Sequence, residues 1–504
     1  MVHTRKSSDR PPNILLFMTD QQRFDSLGCY GAQWVKTPYL DQLAREGVLF
    51  ETCYTNNPVC TPARASLMTG KELPDHGVYR LHDVLPREET LFPAKLRELG
   101  YRTALFGKLH VSGRLEEAAH RHPRDGFDVY EWCLEPAVDI DSPFNAYTRW
   151  LGETHPQFLN HLRSKRRHRG NDPLEVTMNH WAADRTIDFI SSAERGTPFF
   201  CMMSVFDPHN PYDNYPLEVE KMIDLGKIPP PIPCTDEQPV PYAILAEREH
   251  SYLGRIATFT KEDIQRIRLG YYSMIAHFDL EVGRVLSALE QRGVAEDTLI
   301  IFTSDHGDML GDHDTLVKGA MLYDPCTRVP LILRYPRGFG GGTRISSPVQ
   351  LHDLAATILA VGGVNDSDLA VEMPDAKNLL TLCRGEYREA HEYLVCPYRN
   401  SGINDRGMYW DPPLHSTMVR WGRYKLHVYH PVAGWQEDTL YRLYDMEKDP
   451  QEMRDLSALP AYRGILEGMK SRLFSWFLKF ELRNAGKGGE AMPSKDQLIV
   501  NEIK

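Results

Sequence analysis

The chain has 504 residues, enough for one large or two to three ordinary domains at roughly 150 residues each. Charged residues make up 25% and hydrophobic ones 42%, and 58 Lys and Arg against 69 Asp and Glu leave a net charge of −11, which argues against a nucleic-acid or anionic-membrane binder. The longest nearly unbroken apolar run, Phe199 to Phe206, is far short of the ~18 to 20 residues of a membrane helix, and nine scattered cysteines without a CxxC pair do not read as a disulfide or zinc framework.

Short apolar runs rich in β-formers alternate with segments of helical period, the pattern of a parallel sheet covered by helices. Met1 to Arg10 is polar, and the first run, Ile14 to Phe17, is too short for a signal-peptide core and leads into no small-residue cleavage site, so a soluble, cytoplasmic protein is expected. Thr37 stands where a side chain can cap a helix starting at Pro38 and stopping at Gly47. Phe92 to Leu99 predicts a helix ending at Gly100, followed by the run Thr103 to Phe106 and later by Phe199 to Phe206. Residues 207–250 are proline-rich with little periodicity and read as a long loop lining a site. Ile264, Ile267, Tyr271, Met274, Ile275, Phe278, Val282, Val285 and Leu289 predict a long helix stopped by Gly293, before the runs Leu299 to Phe302 and Pro330 to Leu333. After about residue 375 the texture shifts to short aromatic runs, Tyr424 to Tyr429 and Thr439 to Tyr444, which predict antiparallel strands. The expected fold class is therefore α/β: residues 1–375 with a large mixed, mostly parallel sheet flanked by helices, and residues 376–504 as a smaller α+β domain with an antiparallel sheet. The polar tail beyond Gly486 is a free end or an arm reaching a neighbouring subunit.

Ligands of open α/β sheets bind beyond the carboxyl ends of the strands. Four runs end there in reactive chemistry: Asp20-Gln21, Gly107-Lys108-Leu109-His110, Asp207-Pro208-His209 and Ser304-Asp305-His306-Gly307. Asp20, Asp305 and His306 supply hard oxygens and an imidazole, which suit Ca²⁺ or Mn²⁺ better than a thiolate-rich zinc centre, and Gln21 could add an amide oxygen. Asp308, Asp312 and Asp314 read as a solvated acidic loop, and the basic run Arg163 to Arg169 as a solvated face. The sharpest local motif is Cys60-Thr61-Pro62-Ala63-Arg64, which opens a helix with Cys60 and Arg64 on one face, where free amides favour an anion and lower a thiol pKa. A buried structural cysteine beside a solvated arginine is the other reading of that stretch.

This motif resembles the C-x-P-x-R signature of the sulfatase family within the alkaline-phosphatase superfamily. Pro12 to Asp20, Ala65 to Gly70, Gly107 to His110, Pro208 to Pro211, Ser304 to Gly307, Lys318-Gly319 and Leu443 to Pro450 resemble further blocks in that family's order, so the likeness spans most of residues 12–457. It implies an alkaline-phosphatase-like sheet and a formylglycine-generating enzyme that converts Cys60 to Cα-formylglycine, whose hydrate is nucleophile and metal ligand. It also implies that Asp20, Cys60, Asp305 and His306 hold one divalent cation, Ca²⁺ or alternatively Mn²⁺. Arg64 then orients the hydrate, Lys108 and Lys318 grip the ester, His209 with Lys318 meets the leaving oxygen, and His110 is the base that expels sulfate. A gem-diol keeps a second hydroxyl after attack, so the sulfate leaves by elimination. Many sulfatases carry an Asp in place of Gln21 and an Asn in place of His306; both departures resemble a subset that includes choline sulfatases and phosphonate monoester hydrolases. The expected activity is hydrolysis of aryl or small alkyl sulfate monoesters by a homo-oligomer, with no nucleic-acid or membrane partner. A phosphonate monoester or phosphodiester hydrolase is the alternative, and an unmodified, non-catalytic binding protein a third.

Overall fold

The computed structural model describes residues 11–164, 172–213, 215–235 and 239–484; the amino-terminal ten residues, most of the basic run and the tail from residue 485 lie outside them. Strands β1 (Asn13–Thr19), β2 (Val48–Tyr54), β3 (Arg102–Gly107), β4 (Val129–Trp132), β5 (Phe199–Ser204), β6 (Thr298–Ser304), β7 (Arg328–Arg334) and β8 (Thr343–Ile345) form one sheet in the order β4-β3-β5-β1-β6-β7-β2-β8, with β9 (Val349–Gln350) also beside β2. Only β7 runs antiparallel to its neighbours. Since β3, β5, β1 and β6 are consecutive and parallel, the four polar strand ends foreseen in the sequence open on one edge.

Both faces of the sheet are buried, which is why its strands read as continuous apolar runs. Leu15 and Phe17 of β1 face a core built with α1 (Pro38–Glu46), α4 (Met178–Ser192) and α6 (Lys261–Arg292). Ile14, Leu16 and Met18 face the core under α2 (Cys60–Thr69), α3 (Phe92–Glu98) and α7 (Asp353–Val361). Thr37 precedes α1 but does not cap it. Its hydroxyl accepts from Gly28 N at 3.0 Å and donates to Asp41 at 3.2 Å, and the free amides of Tyr39 and Leu40 donate to Asp279 of α6 at 3.3 and 2.8 Å. The segment 207–250 is also more ordered than expected, since it carries α5 (Tyr242–His250), started behind Pro241.

A second, four-stranded antiparallel sheet runs β10 (Tyr393–Arg399), β11 (His415–Trp421), β12 (Tyr424–Tyr429) and β13 (Leu440–Asp445). One face packs on α8 (Arg463–Asn484) through Leu466, Met469, Leu473, Trp476 and Phe480. The other brings Tyr398, Tyr429 and Tyr444 against Val59 and Met321, beside the start of α2. All nine cysteines are free, and among the described residues no helix is long and apolar enough to cross a membrane.

Candidate active site

Helix α2 starts at Cys60 because Val59 stays extended, and Pro62 falls in the first turn, where a missing N–H costs nothing. The Cys60 Sγ, 2% exposed, then lies 3.2 Å from His306 Nε2, 3.7 Å from Asp20 Oδ1 and 2.9 Å from Lys318 Nζ. One turn on, the fully buried Arg64 ties together the ends of four strands. Its guanidinium donates to Asp305 Oδ2 of the β6 end (2.7 Å), Asp20 Oδ2 of the β1 end (3.3 Å), Ser204 Oγ of β5 (2.9 Å) and the carbonyl of Lys108 after β3 (3.1 Å). These bonds go to the carboxylates and strand ends, and none of them to Cys60.

Charge is dense here. The Lys108 ammonium is paired with Asp20 Oδ2. Burial raises the Asp20 carboxyl, but Lys108, Lys318 and Arg64 more than reverse this and hold it well below the usual carboxylate range. Burial and Asp20 push the Cys60 thiol up, yet Lys318, Lys108 and His306 outweigh them and lower it. Lys318 is held protonated: burial lowers its pKa, but Cys60 and Asp20 outweigh this and raise it. Its three N–H groups are all engaged, with Gln21 Oε1 (2.9 Å), Cys60 Sγ (2.9 Å) and His209 Nε2 (2.7 Å).

The hydrogen bonds assign the imidazole tautomers. His209 Nε2 accepts from Lys318, so Nδ1 carries the proton donated to the Asn210 carbonyl at 2.8 Å. His306 donates from Nδ1 to the Gly307 carbonyl at 2.9 Å, which turns Nε2 toward Cys60. Thr61 spends its hydroxyl proton on the Leu81 carbonyl (2.8 Å), so it accepts from His110 Nε2 (3.1 Å). Burial, then Lys108 and Arg64, keep His110 neutral, so its Nδ1 is a bare lone pair, buried and without a partner among the described residues. The turn that carries His110, at φ 58°, is clasped by buried Glu117, which accepts from the amides of His110 (2.9 Å), Val111 (2.6 Å) and Ser112 (3.1 Å) and from the Trp132 indole (3.0 Å).

Asp20, Cys60, Asp305 and His306 place one donor atom each within 4.8 Å of one another, all buried. Two carboxylates, a lowered thiol and an imidazole so confined fit a divalent cation, which would relieve their mutual repulsion. Gln21 does not turn its amide oxygen to this cluster but to Lys318, while its NH₂ donates to Asp308 Oδ2 at 2.5 Å. Asp308 and Asp312 are accordingly not solvated acids. Asp308 also accepts from Tyr212 (2.6 Å), and Asp312 pairs with Arg23 (2.8 Å) and Arg268 (2.7 Å); only Asp314 is exposed. A cavity of about 160 Å³ opens over Cys60, Lys108, His110, His209 and Lys318.

The sequence model of the sulfatase family matches residues 12–364. The chain belongs to the sulfatase family. A second model, for the carboxy-terminal region of N-sulphoglucosamine sulphohydrolase, matches residues 311–477 of this sulfatase. Over 475 residues the sulfatase is 29% identical to an uncharacterised sulfatase, YidJ, of Escherichia coli (strain K12), with 88% of this chain and 83% of that protein covered. Over 482 residues it is 26% identical to an arylsulfatase of Clostridium perfringens, covering 92% and 93%. Its fold also matches the crystal structure of a phosphonate monoester hydrolase of Agrobacterium radiobacter, with a TM-score of 0.73, 25% identity, and 93% and 96% of the two chains covered. The protein is thus a sulfuric ester hydrolase by family, and that family generally uses a metal ion and formylglycine.

Proposed function

We propose that this sulfatase hydrolyses aryl or small alkyl sulfate monoesters at Cys60, matured to Cα-formylglycine by a formylglycine-generating enzyme, with one Ca²⁺ held by Asp20, Cys60, Asp305 and His306. The supporting observation is the buried four-donor cluster, set at a helix amino terminus directly beside Lys108 and Lys318. When present, the cation supplies fixed positive charge and the aldehyde hydrate a nucleophilic hydroxyl.

The chain's own groups do the rest. Lys108 and Lys318 set ammonium charge where the ester oxygens gain negative charge in the transition state. Lys318 shares a hydrogen bond with His209 Nε2, so the pair is placed to hand a proton to the departing alcohol oxygen. His110 takes up a proton at its bare Nδ1. Arg64 keeps Asp20 and Asp305 aligned. A cytoplasmic homo-oligomer divided after residue 375 belongs to the same reading.

Removing divalent ions with a chelator is expected to abolish turnover of 4-nitrophenyl sulfate, with Ca²⁺ restoring it; restoration by Mn²⁺ alone would reassign the metal. A second reading, phosphonate monoester or phosphodiester hydrolysis, is favoured by Gln21 in place of a carboxylate and by the likeness to the Agrobacterium enzyme. Comparing kcat/KM on phenyl sulfate and a matched phenyl phosphonate decides between them, and a strong sulfate preference eliminates the second. Glu117→Ala, which frees the turn under His110, is expected to lower kcat by about 100-fold with a smaller change in KM, because a misplaced reacting group costs about that much; steady-state kinetics read the split.

A further inference from the structure

Beyond the reacting groups the cavity wall is largely apolar, with Leu81, Leu134, Phe206, Tyr398 and Ile403 along it. Into this wall α5 sets a single buried carboxyl, Glu247, 3% exposed. A carboxyl at that depth ordinarily has a cation or several donors. Glu247 has one: the Ala320 amide donates to Oε1 at 2.7 Å, and among the described residues nothing donates to Oε2. The lysine and arginine side chains that line the cavity are committed elsewhere, Lys108 to Asp20. The three N–H groups of Lys318 are used on Gln21, Cys60 and His209, and Arg114, also on the cavity wall, is paired with Asp139 at 2.8 Å. Burial pushes the Glu247 pKa up to about 8, and an opposite charge brought alongside would draw it back down. Without such a charge the carboxyl is largely protonated at neutral pH, so its uncommitted oxygen can exchange a hydrogen bond with a hydroxyl as it stands and ionises only beside a cation.

We propose that Glu247 is a specificity-determining residue that binds an N–H or O–H donor, a primary ammonium or a hydroxyl, carried on the alcohol part of the sulfate ester, while the apolar wall packs the carbon skeleton. The inference rests on the sulfate-ester reading of the site. The probes are phenyl sulfates with an aminomethyl, a hydroxymethyl or an ethyl group at the meta or para position, similar in size and different in donor. At one of the two positions, wild-type kcat/KM for the aminomethyl ester is expected to exceed that for the ethyl ester by about 10-fold or more, the factor expected of a hydrogen bond to a charged group, and that for the hydroxymethyl ester to exceed it by a smaller factor of about 3-fold or more. In E247Q the aminomethyl preference falls by about 10-fold while the hydroxymethyl preference is largely kept, because an amide oxygen still accepts but carries no charge. In E247L both preferences vanish. Each ratio is taken within one preparation, so partial unfolding lowers all rates together and leaves the ratios readable. Equal losses on all three esters in E247Q and E247L would overturn the inference and leave Glu247 as a support of the Ala320 turn. Wild-type turnover of all three esters without a donor preference would overturn it while the sulfatase reading stands. No turnover of any of them would remove that reading and this inference together.

Discussion

Cys60→Ala is expected to abolish turnover of an aryl sulfate, with kcat/KM falling by at least about 10⁴-fold, the scale of losing a nucleophile. The substitution removes the one atom that meets Lys318, His306 and Asp20 together, and with it a donor of the four-membered cluster. The fold should survive, since alanine is a good helix former and residue 60 sits in the first turn of α2. Circular dichroism and a melting curve close to wild type would therefore accompany the loss, separating chemistry from misfolding. Undiminished turnover by the alanine variant would end the nucleophile assignment. Intact mass of the Cys60 peptide from the native host gives an independent reading: an unmodified thiol there, with no turnover, would favour the non-catalytic alternative.

Arg64→Leu is expected to lower stability by about 3–5 kcal/mol, the usual result of removing one partner from a buried ion-pair network, and to eliminate activity. Arg64, Asp20 and Asp305 are all fully buried, and the guanidinium holds both acids at once. Arg64→Lys should recover only part of the loss, because a single ammonium cannot reproduce the fork that spans Asp20, Asp305, Ser204 and the Lys108 carbonyl. Urea unfolding with and without chelator tests the account. The deficit should be larger without divalent ions, since a cation at the neighbouring donors substitutes for part of the missing charge. An unchanged unfolding midpoint would show that the strand ends are held by something else.

Much of this site was legible in the sequence because parallel strands deliver their next residues to one edge, so an apolar run followed by Asp, Lys or His locates a side chain without knowledge of the strand order. The clusters after β1, β3, β5 and β6 stand out in that way, and the motif at Cys60 by its helix-start signals. What was missed depended on partners distant in the chain. Asp308 and Asp312 look like solvated acids until Tyr212, Arg23 and Arg268 fold onto them. Thr37 looks like a cap until Asp279 arrives from α6. Strand β2 carries a weak signal because Glu51 and Thr52 interrupt its apolar run, and α5, which brings in Glu247, lies among prolines. Glu117, seven residues after His110, carries no pattern that marks it as the clasp of that turn.

The reversed direction of β7 has a consequence for how this enzyme can change. Because β6 and β7 are antiparallel neighbours, the loop between them leaves and rejoins the sheet side by side. That loop carries Asp305, His306 and Lys318, and it is pinned midway by the ion pairs of Asp312. The chemistry therefore stands on a closed arch with two firm feet. Leu134 and Ile403, on the cavity wall, belong to separate stretches of chain outside the arch, whereas Glu247 reaches the arch itself through the Ala320 amide. Substitutions at Leu134 and Ile403 can therefore reshape the cavity without touching the residues that hold the reacting groups.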